Sequence, residues 1–260
     1  PAGRKSPADS SISFDNVTFT YDGAARPALM NVRFHLPQGA AYALVGPSGG
    51  GKSTIARLIP RFFDVQEGAV LVGGQDVRSI PAAELMEQIS FVFQEVHLFK
   101  KSIRDNIRAA RPNATEEEIL QAAQLAQCGD ILEKIPGGLD AVIGAKGVYL
   151  SGGEMQRIAL ARAILKDAPI VVLDEASSFA DPENEVKIQK AFEALMKGKT
   201  VLMIAHRLST VRRMDRILVI KKGVVVEEGK HDELIEKGGV YASMWEEYQS
   251  AAQWKVGGEE

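Results

Sequence analysis

The stretch that most constrains this chain is a glycine-rich segment at residues 46–54, which reads Gly-Pro-Ser-Gly-Gly-Gly-Lys-Ser-Thr. An apolar run of strand length, residues 40–45, precedes it, and residues 55–59 suit a helix. A strand, a glycine-rich loop and a helix in this order are typical of a phosphate-binding loop. The glycines allow backbone N–H groups to close around an anion, and the helix N-terminus adds partial positive charge.

The last residues of the loop indicate which anion it would take. Lys52 can reach the β- and γ-phosphates of a nucleotide, and the Ser53 hydroxyl can ligate Mg²⁺. A chance glycine-rich turn followed by Lys-Ser is the alternative, but it would not need the flanking strand and helix. We therefore predict that the chain binds a nucleoside triphosphate.

Composition excludes several other classes of protein. The chain has 260 residues, is 45% hydrophobic and carries a formal net charge of −3, which gives no electrostatic case for nucleic acid. The single cysteine, Cys128, rules out an internal disulfide and lies in an alanine-rich helical pattern, so we expect a small packed residue. No apolar run approaches the ~18–20 residues that a membrane-spanning helix needs. Residues 1–11 are polar and are expected to be a leader or linker, and residues 251–260 a tail.

A second group of polar residues follows predicted strands. Residues 170–173 form a continuous apolar run, typical of a buried parallel strand, and deliver Asp174 and Glu175 at its carboxyl end. A phosphate-binding-loop protein needs an acid there to hold Mg²⁺, a role that fits Asp174, while Glu175 could activate water. Two solvated acids after a strand are the alternative. His206 follows another apolar strand, and a lone histidine there is more often structural than catalytic.

Three further positions leave alternatives open. Ser151, Gly152 and Gly153 open a predicted helix and could bind an anion, but an ordinary helix cap explains them about as well. Tyr21, at the end of a strand predicted over residues 12–21, could stack on a nucleotide base or pack on its neighbours. Gln94 ends a strand predicted over residues 89–93.

The segment between these motifs is predicted to be mainly helical. Thr115 and Glu118 have the spacing of a capping box. After them, Ile119, Ala122, Ala123 and Ala126 recur at the spacing of one helix face. A late hairpin is expected near residues 215–227, and a closing helix over residues 240–249.

The motifs together resemble the nucleotide-binding domain of ABC transporters, and among these the exporter-type half-transporters, over about residues 12–250. They occur in the order and spacing of that family: Tyr21 (A-loop), residues 46–54 (Walker A), Gln94 (Q-loop), residues 150–156 (signature), residues 170–175 (Walker B and catalytic glutamate), residues 178–181 (D-loop) and His206 (H-loop). The resemblance implies an α/β fold: a P-loop NTPase core with a mixed sheet, an antiparallel β subdomain and an α-helical lobe inserted at about residues 95–165.

The resemblance also implies ATP and Mg²⁺ as cofactors and gives each motif a role. Tyr21 would stack on adenine, Glu175 would polarise the attacking water, and His206 would contact the γ-phosphate. The phosphates would be held by Gly46, Pro47, Ser48, Gly49, Gly50, Gly51, Lys52 and Thr54. Mg²⁺ would be organised by Ser53, Gln94 and Asp174. The signature residues Ser151, Gly152 and Gly153 would act in trans, on ATP held by the Walker A loop of a partner.

These roles imply an ATPase domain that powers transport across a membrane by ATP-dependent dimerisation. The implied partners are a second nucleotide-binding domain, identical or not, and a transmembrane domain of the same or an associated polypeptide, on the cytoplasmic side of a membrane. No nucleic acid is expected. A small-molecule kinase, a soluble ABC-type switch in DNA repair or translation, and a site that binds without hydrolysing are the rival hypotheses. The signature and Glu175 argue against a kinase, and the absence of long coiled-coil insertions argues against a soluble switch. Intact Glu175 and His206 argue against a site that binds without hydrolysing.

Several positions depart from the family pattern. The D-loop reads Ser-Phe-Ala-Asp at residues 178–181, where Ser-Ala-Leu-Asp is usual, and Ala145 stands where exporters commonly carry a glutamate. The run that begins at Phe179 looks like some siderophore-related members, a weak indication of cargo. An apolar surface that would meet coupling helices of the membrane part is predicted from Val96, Leu98, Phe99 and Ile103, although each could equally pack inward.

Overall fold

The computed structural model describes residues 6–93, 95–144, 148–175 and 182–256, with side chains to residue 253. Among the residues that were singled out in the sequence, Gln94, Ala145 and the D-loop at 178–181 lie outside this description. The chain divides into two compact units. Unit 1 comprises Pro1–Met86 and Thr200–Glu260, and unit 2 comprises Glu87–Lys199.

Within the described residues, the strands are β1 (Ile12–Phe19), β2 (Leu29–Leu36), β3 (Ala41–Val45), β4 (Glu67–Val72), β5 (Gln75–Asp76), β6 (Ile89–Val92), β7 (Ile170–Asp174), β8 (Thr200–Ile204), β9 (Arg216–Lys221) and β10 (Val224–Gly229). The α-helices there are α1 (Lys52–Leu58), α2 (Ala82–Glu87), α3 (Ile103–Arg108), α4 (Glu116–Leu125), α5 (Gly129–Lys134), α6 (Gly152–Lys166), α7 (Pro182–Met196), α8 (Leu208–Val211), α9 (His231–Lys237) and α10 (Val240–Val256). Short 3₁₀ turns lie at Val77–Ser79 and Gly138–Asp140.

Unit 1 contains an antiparallel sheet with the strand order β2-β1-β4-β5. Phe14 of β1 pairs with Phe34 of β2, and their rings stack with centroids 4.7 Å apart. The register of β1 shifts beside Asn16, whose positive φ of 48° marks a bulge that a short polar residue tolerates. The strand ends at Phe19, two residues earlier than predicted, so Tyr21 lies just beyond it.

Unit 1 also contains a mixed set of strands in the order β10-β9-β3-β8. Strand β3 runs parallel to both β8 and β9, whereas β9 and β10 form the antiparallel hairpin predicted from the sequence. Four of the five residues of β3 and all five of β8 are buried, which explains their continuous apolar sequence. The glycine-rich segment and α1 follow β3 directly, so the predicted strand–loop–helix order is confirmed.

Unit 2 pairs β6 with β7 in parallel and packs helices α3, α4 and α7 against α6. The predicted capping box at the start of α4 is confirmed. The Thr115 hydroxyl accepts from the Glu118 N–H at 3.2 Å, and the Glu118 carboxylate accepts from the Thr115 N–H at 3.0 Å. The predicted inner face is also buried. Cys128 is fully buried, and this burial raises the pKa of its thiol to about 12, as expected for a packed residue rather than a reactive one.

The observed fold confirms the predicted class, with an antiparallel sheet, mixed strands around β3 and a helical segment between the two central motifs. The proposed limits of the ATPase domain (12–250) and of the inserted lobe (95–165) stay predictions. Ile103 is fully buried in α3, so of its two predicted alternatives the inward packing is observed, whereas Phe99 is 53% exposed. Among the described helices, none is both long and apolar enough to cross a membrane.

Candidate nucleotide-binding site

The backbone conformation of the glycine-rich loop is determined by close contacts with other segments of unit 1. Gly46 has φ +142°, and a Cβ added there would lie 2.0 Å from the Ile220 carbonyl oxygen in β9. Gly51 has φ +110°, and its Cβ would lie 2.7 Å from Leu29 Cδ2. Both positions therefore require glycine for two reasons, a positive φ and the absence of space. Contacts within unit 1 therefore impose the loop conformation at these two positions.

Lys52 begins α1, and its side chain turns back over the loop. Lys52 is only 9% exposed, and its Nζ donates to the Gly46 carbonyl at 2.5 Å. The ammonium group therefore lies at the start of the loop rather than in solvent. Ser53, the next residue, is exposed at the first turn of the same helix. Lys52 and Ser53 thus lie next to each other in the first turn of α1.

Tyr21 contacts the same helix from outside the glycine-rich loop. Its hydroxyl lies 2.8 Å from the Thr54 hydroxyl, which is buried in the first turn of α1. The ring meets Phe19 and Phe63 at interplanar angles of 82° and 86°, so neither neighbour stacks face to face on it. Packing on neighbours, one of the two predicted alternatives, is therefore observed. Stacking on adenine stays a prediction.

The acids after β7 in unit 2 are not a solvated pair. Asp174, the last residue of the strand, is half-buried, and Glu175 is 1% exposed. The Gln189 amide of α7 reaches the Glu175 carboxylate at 3.5 Å. The fold therefore holds the Glu175 side chain against α7 rather than in solvent. His206, by contrast, follows β8 in unit 1 and is exposed.

The residues Ser151, Gly152 and Gly153, which we call the signature tip, lie at the N-terminus of α6 in unit 2. The Ser151 hydroxyl accepts from the Glu154 N–H at 3.2 Å, and the Glu154 carboxylate accepts from the Ser151 N–H at 3.0 Å. Sequence reasoning left a plain cap and an anion site open, and the cap is observed. It uses the hydroxyl oxygen as an acceptor, so the hydroxyl hydrogen is not consumed by this cap.

Glu154 is itself tied down, which fixes the geometry of the cap. It is 6% exposed, and Lys134 Nζ donates to its two carboxylate oxygens at 3.2 and 3.0 Å. Burial acts to raise the pKa of Glu154, but hydrogen bonds from the Ser151 backbone and Lys134 outweigh it and lower the pKa. The lowered pKa favours the ionised carboxylate, which accepts the Ser151 N–H in one half of the cap.

Sequence reasoning missed the buried polar residues that fix the first turns of α6, which follow the signature tip. Arg157, one turn further along α6, is 1% exposed and donates to the Gln127 carbonyl at 2.5 Å and to the Asp130 carboxylate at 2.6 and 3.1 Å. Burial opposes ionisation of Asp130, yet the bonds from Arg157 and Lys187 lower its pKa to about 2. The only sequence signal was an arginine on an apolar helix face, which does not identify its partners.

No group of three or more His, Cys, Asp or Glu side chains that could hold a metal by themselves occurs in the part of the chain that the structure describes. A site built from one hydroxyl, one carboxylate and nucleotide phosphates would not form such a group. Hard oxygen donors of this kind suit Mg²⁺, which is commonly bound by one or two protein ligands together with phosphates. By donor type, the hydroxyl of Ser53 in unit 1 and the carboxylate of Asp174 in unit 2 each suit this ion.

Comparison with known proteins gives consistent results. The family model described as ABC transporter matches residues 29–178. The ATP-dependent lipid A-core flippase of Escherichia coli (strain K12) is 50% identical over 238 residues, which is 91% of this chain and 41% of that protein. The protein of the same name from Haemophilus ducreyi is 50% identical over 239 residues, 92% of this chain and 41% of that protein.

A solved structure of a bacterial Atm1-family ABC exporter with ATP bound aligns with a TM-score of 0.86 and 40% sequence identity, covering 95% of this chain and 43% of that chain. The chain thus spans about two fifths of the length of the relatives that it matches. The glycine-rich loop, the strand-end acids and the capped signature tip agree with this match. The chain belongs to the ABC transporter family, in which it corresponds to the nucleotide-binding domain of exporter-type members.

Proposed function

We propose that this chain is the ATP-hydrolysing domain of a membrane transporter and powers export by pairing with a second nucleotide-binding domain in the presence of ATP. One observation carries the proposal above the others. The loop at residues 46–54 is held open by contacts that only glycine permits, and Lys52 brings its ammonium group back over it at 2.5 Å from the Gly46 carbonyl. Such a loop combines inward N–H groups and one positive charge, which suits the β- and γ-phosphates of ATP.

Each loop residue has a distinct part in this scheme. The backbone N–H groups of the loop donate to phosphate oxygens, except at Pro47, which has no N–H, and Lys52 exchanges its contact with the Gly46 carbonyl for the more negative phosphates. Ser53 and Thr54 follow at the helix N-terminus, where partial positive charge favours an anion. Tyr21 stacks on adenine, and its bond to the Thr54 hydroxyl at 2.8 Å supports this role because it ties the ring to the phosphate-binding helix.

Mg²⁺ would be held by Ser53, Asp174 and Gln94, and it supplies charge neutralisation for the transferring phosphoryl group. The residues themselves do the positioning. Asp174 presents an oxygen from the rigid end of β7, and Ser53 from the first turn of α1. Holding donors on regular elements keeps the geometry fixed during the reaction.

Glu175 is proposed to orient and polarise the attacking water. Its burial supports this role, because a carboxylate shielded from bulk solvent interacts strongly with a single bound water. His206, exposed at the end of β8, is proposed to contact the γ-phosphate. Neither group needs to form a covalent bond, since phosphoryl transfer depends mainly on position and charge.

The signature tip is proposed to act on ATP held by a second nucleotide-binding domain. The Ser151 hydroxyl hydrogen and the N–H groups of Gly152 and Gly153 would donate to the γ-phosphate of the partner's ATP. A second anion-binding helix end then completes the site only when two domains are closed on each other. ATP would favour the closed pair through its γ-phosphate, because a ligand shifts an equilibrium by its difference in affinity for the two states.

The remaining partner is a transmembrane domain, of the same or an associated polypeptide, with this domain on the cytoplasmic side. The similarity to proteins named lipid A-core flippases and to an Atm1-family exporter supports a role in export. In this scheme the membrane part selects the cargo, and this chain supplies the energy for transport.

The proposal is tested by Glu175→Gln. We expect ATP hydrolysis to fall by about 10²–10⁴-fold, the range for loss of a general base, while the affinity for ATP changes by less than about threefold. Glu193→Gln makes the same change at an exposed position of α7 and serves as the matched control. Near-normal hydrolysis by Glu175→Gln, or loss of its ATP binding, would contradict the role given to this residue.

A further inference from the structure

Gly153 in the signature tip is covered by a side chain from another helix of unit 2. A Cβ added at Gly153 would lie 3.1 Å from Asn184 Cγ, 3.3 Å from its Cβ and 3.4 Å from its Nδ2. Asn184 lies in the first turn of α7. Its amide group therefore packs directly on the Gly153 Cα, in the space that any larger residue at position 153 would need.

The amide of Asn184 is held in this position by the helix that it covers. Its Oδ1 accepts from Arg157 Nη2 at 2.7 Å, and Arg157 lies one turn after Gly153 on α6. The same guanidinium group is fixed on its other side by Asp130 and the Gln127 carbonyl. A shift of the Asn184 side chain would therefore break a bond to a nearly fully buried arginine.

A second bond fixes α7 to the same carboxylate. Lys187, three residues after Asn184, lies 3.1 Å from Asp130 Oδ2. Asp130 thus receives two hydrogen bonds from Arg157 of α6 and an ion pair from Lys187 of α7, and these contacts set the spacing of the two helices near their N-terminal ends. Ser151, Asn184 and Lys187 line one cavity, so the contact with Asn184 lies next to the residue whose hydroxyl would meet the partner's ATP.

We propose that Asn184 is a positioning residue for the signature tip. By packing on Gly153 and bonding to Arg157, it sets the direction of the Gly153 N–H and of the Ser151 hydroxyl. The inference rests on the proposed function, because it concerns contacts that the tip makes with ATP on a second chain. Misplacement of a binding group by about 1 Å can cost about 100-fold in rate, so one amide side chain suffices to matter. Asn184 itself touches neither nucleotide nor water in this scheme.

The test measures pairing and ATP binding separately, in the 260-residue chain carrying Glu175→Gln. ATP-dependent dimerisation is measured by analytical ultracentrifugation, and ATP affinity by equilibrium binding of a fluorescent ATP analogue at protein concentrations below dimerisation. Asn184→Ala removes both the packing and the acceptor. Asn184→Asp keeps the shape and the acceptor. Lys190→Ala, at an exposed position of the same helix, is the matched control.

We expect Asn184→Ala to raise the dimer dissociation constant at least about tenfold, while its ATP affinity stays within twofold of the parent. Asn184→Asp should stay within about threefold of the parent for both quantities, and Lys190→Ala should match the parent. A general loss of stability would not give this result, because damage to the whole fold would weaken both dimerisation and ATP binding.

Three results would overturn the inference. The first is pairing of Asn184→Ala as tight as that of the parent, the second is a loss of its ATP affinity in parallel with pairing, and the third is a loss of pairing in Asn184→Asp as large as in Asn184→Ala. If Asn184→Ala does not fold, the aspartate variant alone decides, since its pairing must still track the parent. A parent chain that does not pair with ATP at all would instead refute the proposed function, a result that is visible before any Asn184 variant is examined.

Discussion

The buried guanidinium group of Arg157 offers the sharpest test of how unit 2 holds the signature tip. Arg157 is 1% exposed and makes four hydrogen bonds, to the Gln127 carbonyl, twice to Asp130 and once to Asn184. Arg157→Met keeps an unbranched apolar stem in the same space but removes every donor. The variant therefore isolates the polar contacts from the packing of the side chain.

The expected loss follows from what the removal leaves behind. The Gln127 carbonyl and the Asn184 amide oxygen lose a charged donor, and because both residues are half-buried, each loss should cost about 1 kcal/mol, the lower end of the range of about 1–3 kcal/mol for an unsatisfied buried group. The loss of the bonds to Asp130 costs less free energy, because the Asp130 side chain is 44% exposed and keeps its ion pair with Lys187. This part of the cost should be near the value of about 1 kcal/mol for surface ion pairs. We expect Arg157→Met to lower the free energy of unfolding by about 2–4 kcal/mol, at or below the range of about 3–5 kcal/mol for breaking a fully buried pair.

The assay is urea unfolding followed by circular dichroism at 222 nm, which is sensitive to the helices of unit 2. Lys134→Met is the matched control: its side chain is 61% exposed, and the buried Glu154 carboxylate that it leaves keeps the Ser151 N–H, so we expect a cost of about 1 kcal/mol. A double-mutant cycle with Asp130→Asn isolates the pair itself. The reasoning is refuted if Arg157→Met costs no more than Lys134→Met, or if Arg157 and Asp130 show no coupling.

Two further predictions use acid pH and backbone conformation. The pKa of Asp130 is about 2 in the folded chain, below its ordinary value of 3.8, so its stabilising contribution is complete above about pH 4 and lost as pH falls through 2. After discounting for the exposure of its side chain, we expect Asp130 to contribute about 1 kcal/mol to the free energy of unfolding. If Asp130→Asn left the acid limb of the stability–pH curve unchanged, this prediction would be contradicted. Gly46→Ala would place a Cβ 2.0 Å from the Ile220 carbonyl oxygen and should abolish measurable ATP binding. At Gly49 the φ is +74° but no atom lies within 4 Å, so Gly49→Ala should lower the free energy of unfolding by only about 1 kcal/mol, the order of a strained positive φ. Equal effects of the two variants on ATP affinity and on thermal melting would refute the steric argument.

The parts of the site that were predictable are those that local sequence determines. The glycine-rich loop needs its residue types at fixed spacing, so residues 46–54 predicted both the loop and its flanking elements. The capping box at Thr115 and the hairpin of β9 and β10 are also local, because each depends on residues a few positions apart. The burial of Glu175 after an apolar strand agreed with its expected place at a sheet edge.

The parts that were missed depend on contacts between distant segments. For Ile103, a docking surface and inward packing were both left open because an apolar residue beside Phe99 gives no sign of direction, and only the packing of α3 on α6 shows that it points inward. The bond between Tyr21 and Thr54 joins residues 33 positions apart. Arg157 and Asn184 were not singled out, since a charged residue on a helix gives no indication of burial until its partners are known.

One gap in the prediction concerns the C-terminal elements. Helix α9 was not foreseen, and α10 extends to Val256 rather than ending near residue 249. His231 at the start of α9 is buried against Tyr241, with its Nδ1 2.7 Å from the tyrosine hydroxyl. Such a polar contact between two helices stabilises both, but neither residue type predicts it from sequence spacing alone.

The central claim is that ATP is held between the Lys52 loop of one chain and the signature tip of another. The most direct measurement mixes chains carrying Lys52→Ala with chains carrying Ser151→Ala, each inactive alone, and records ATP hydrolysis. In a head-to-tail pair, one of the two sites combines an intact loop with an intact signature tip. Random pairing of equal amounts should therefore restore about one quarter of the parent rate. A mixture no more active than its two components would contradict the claim.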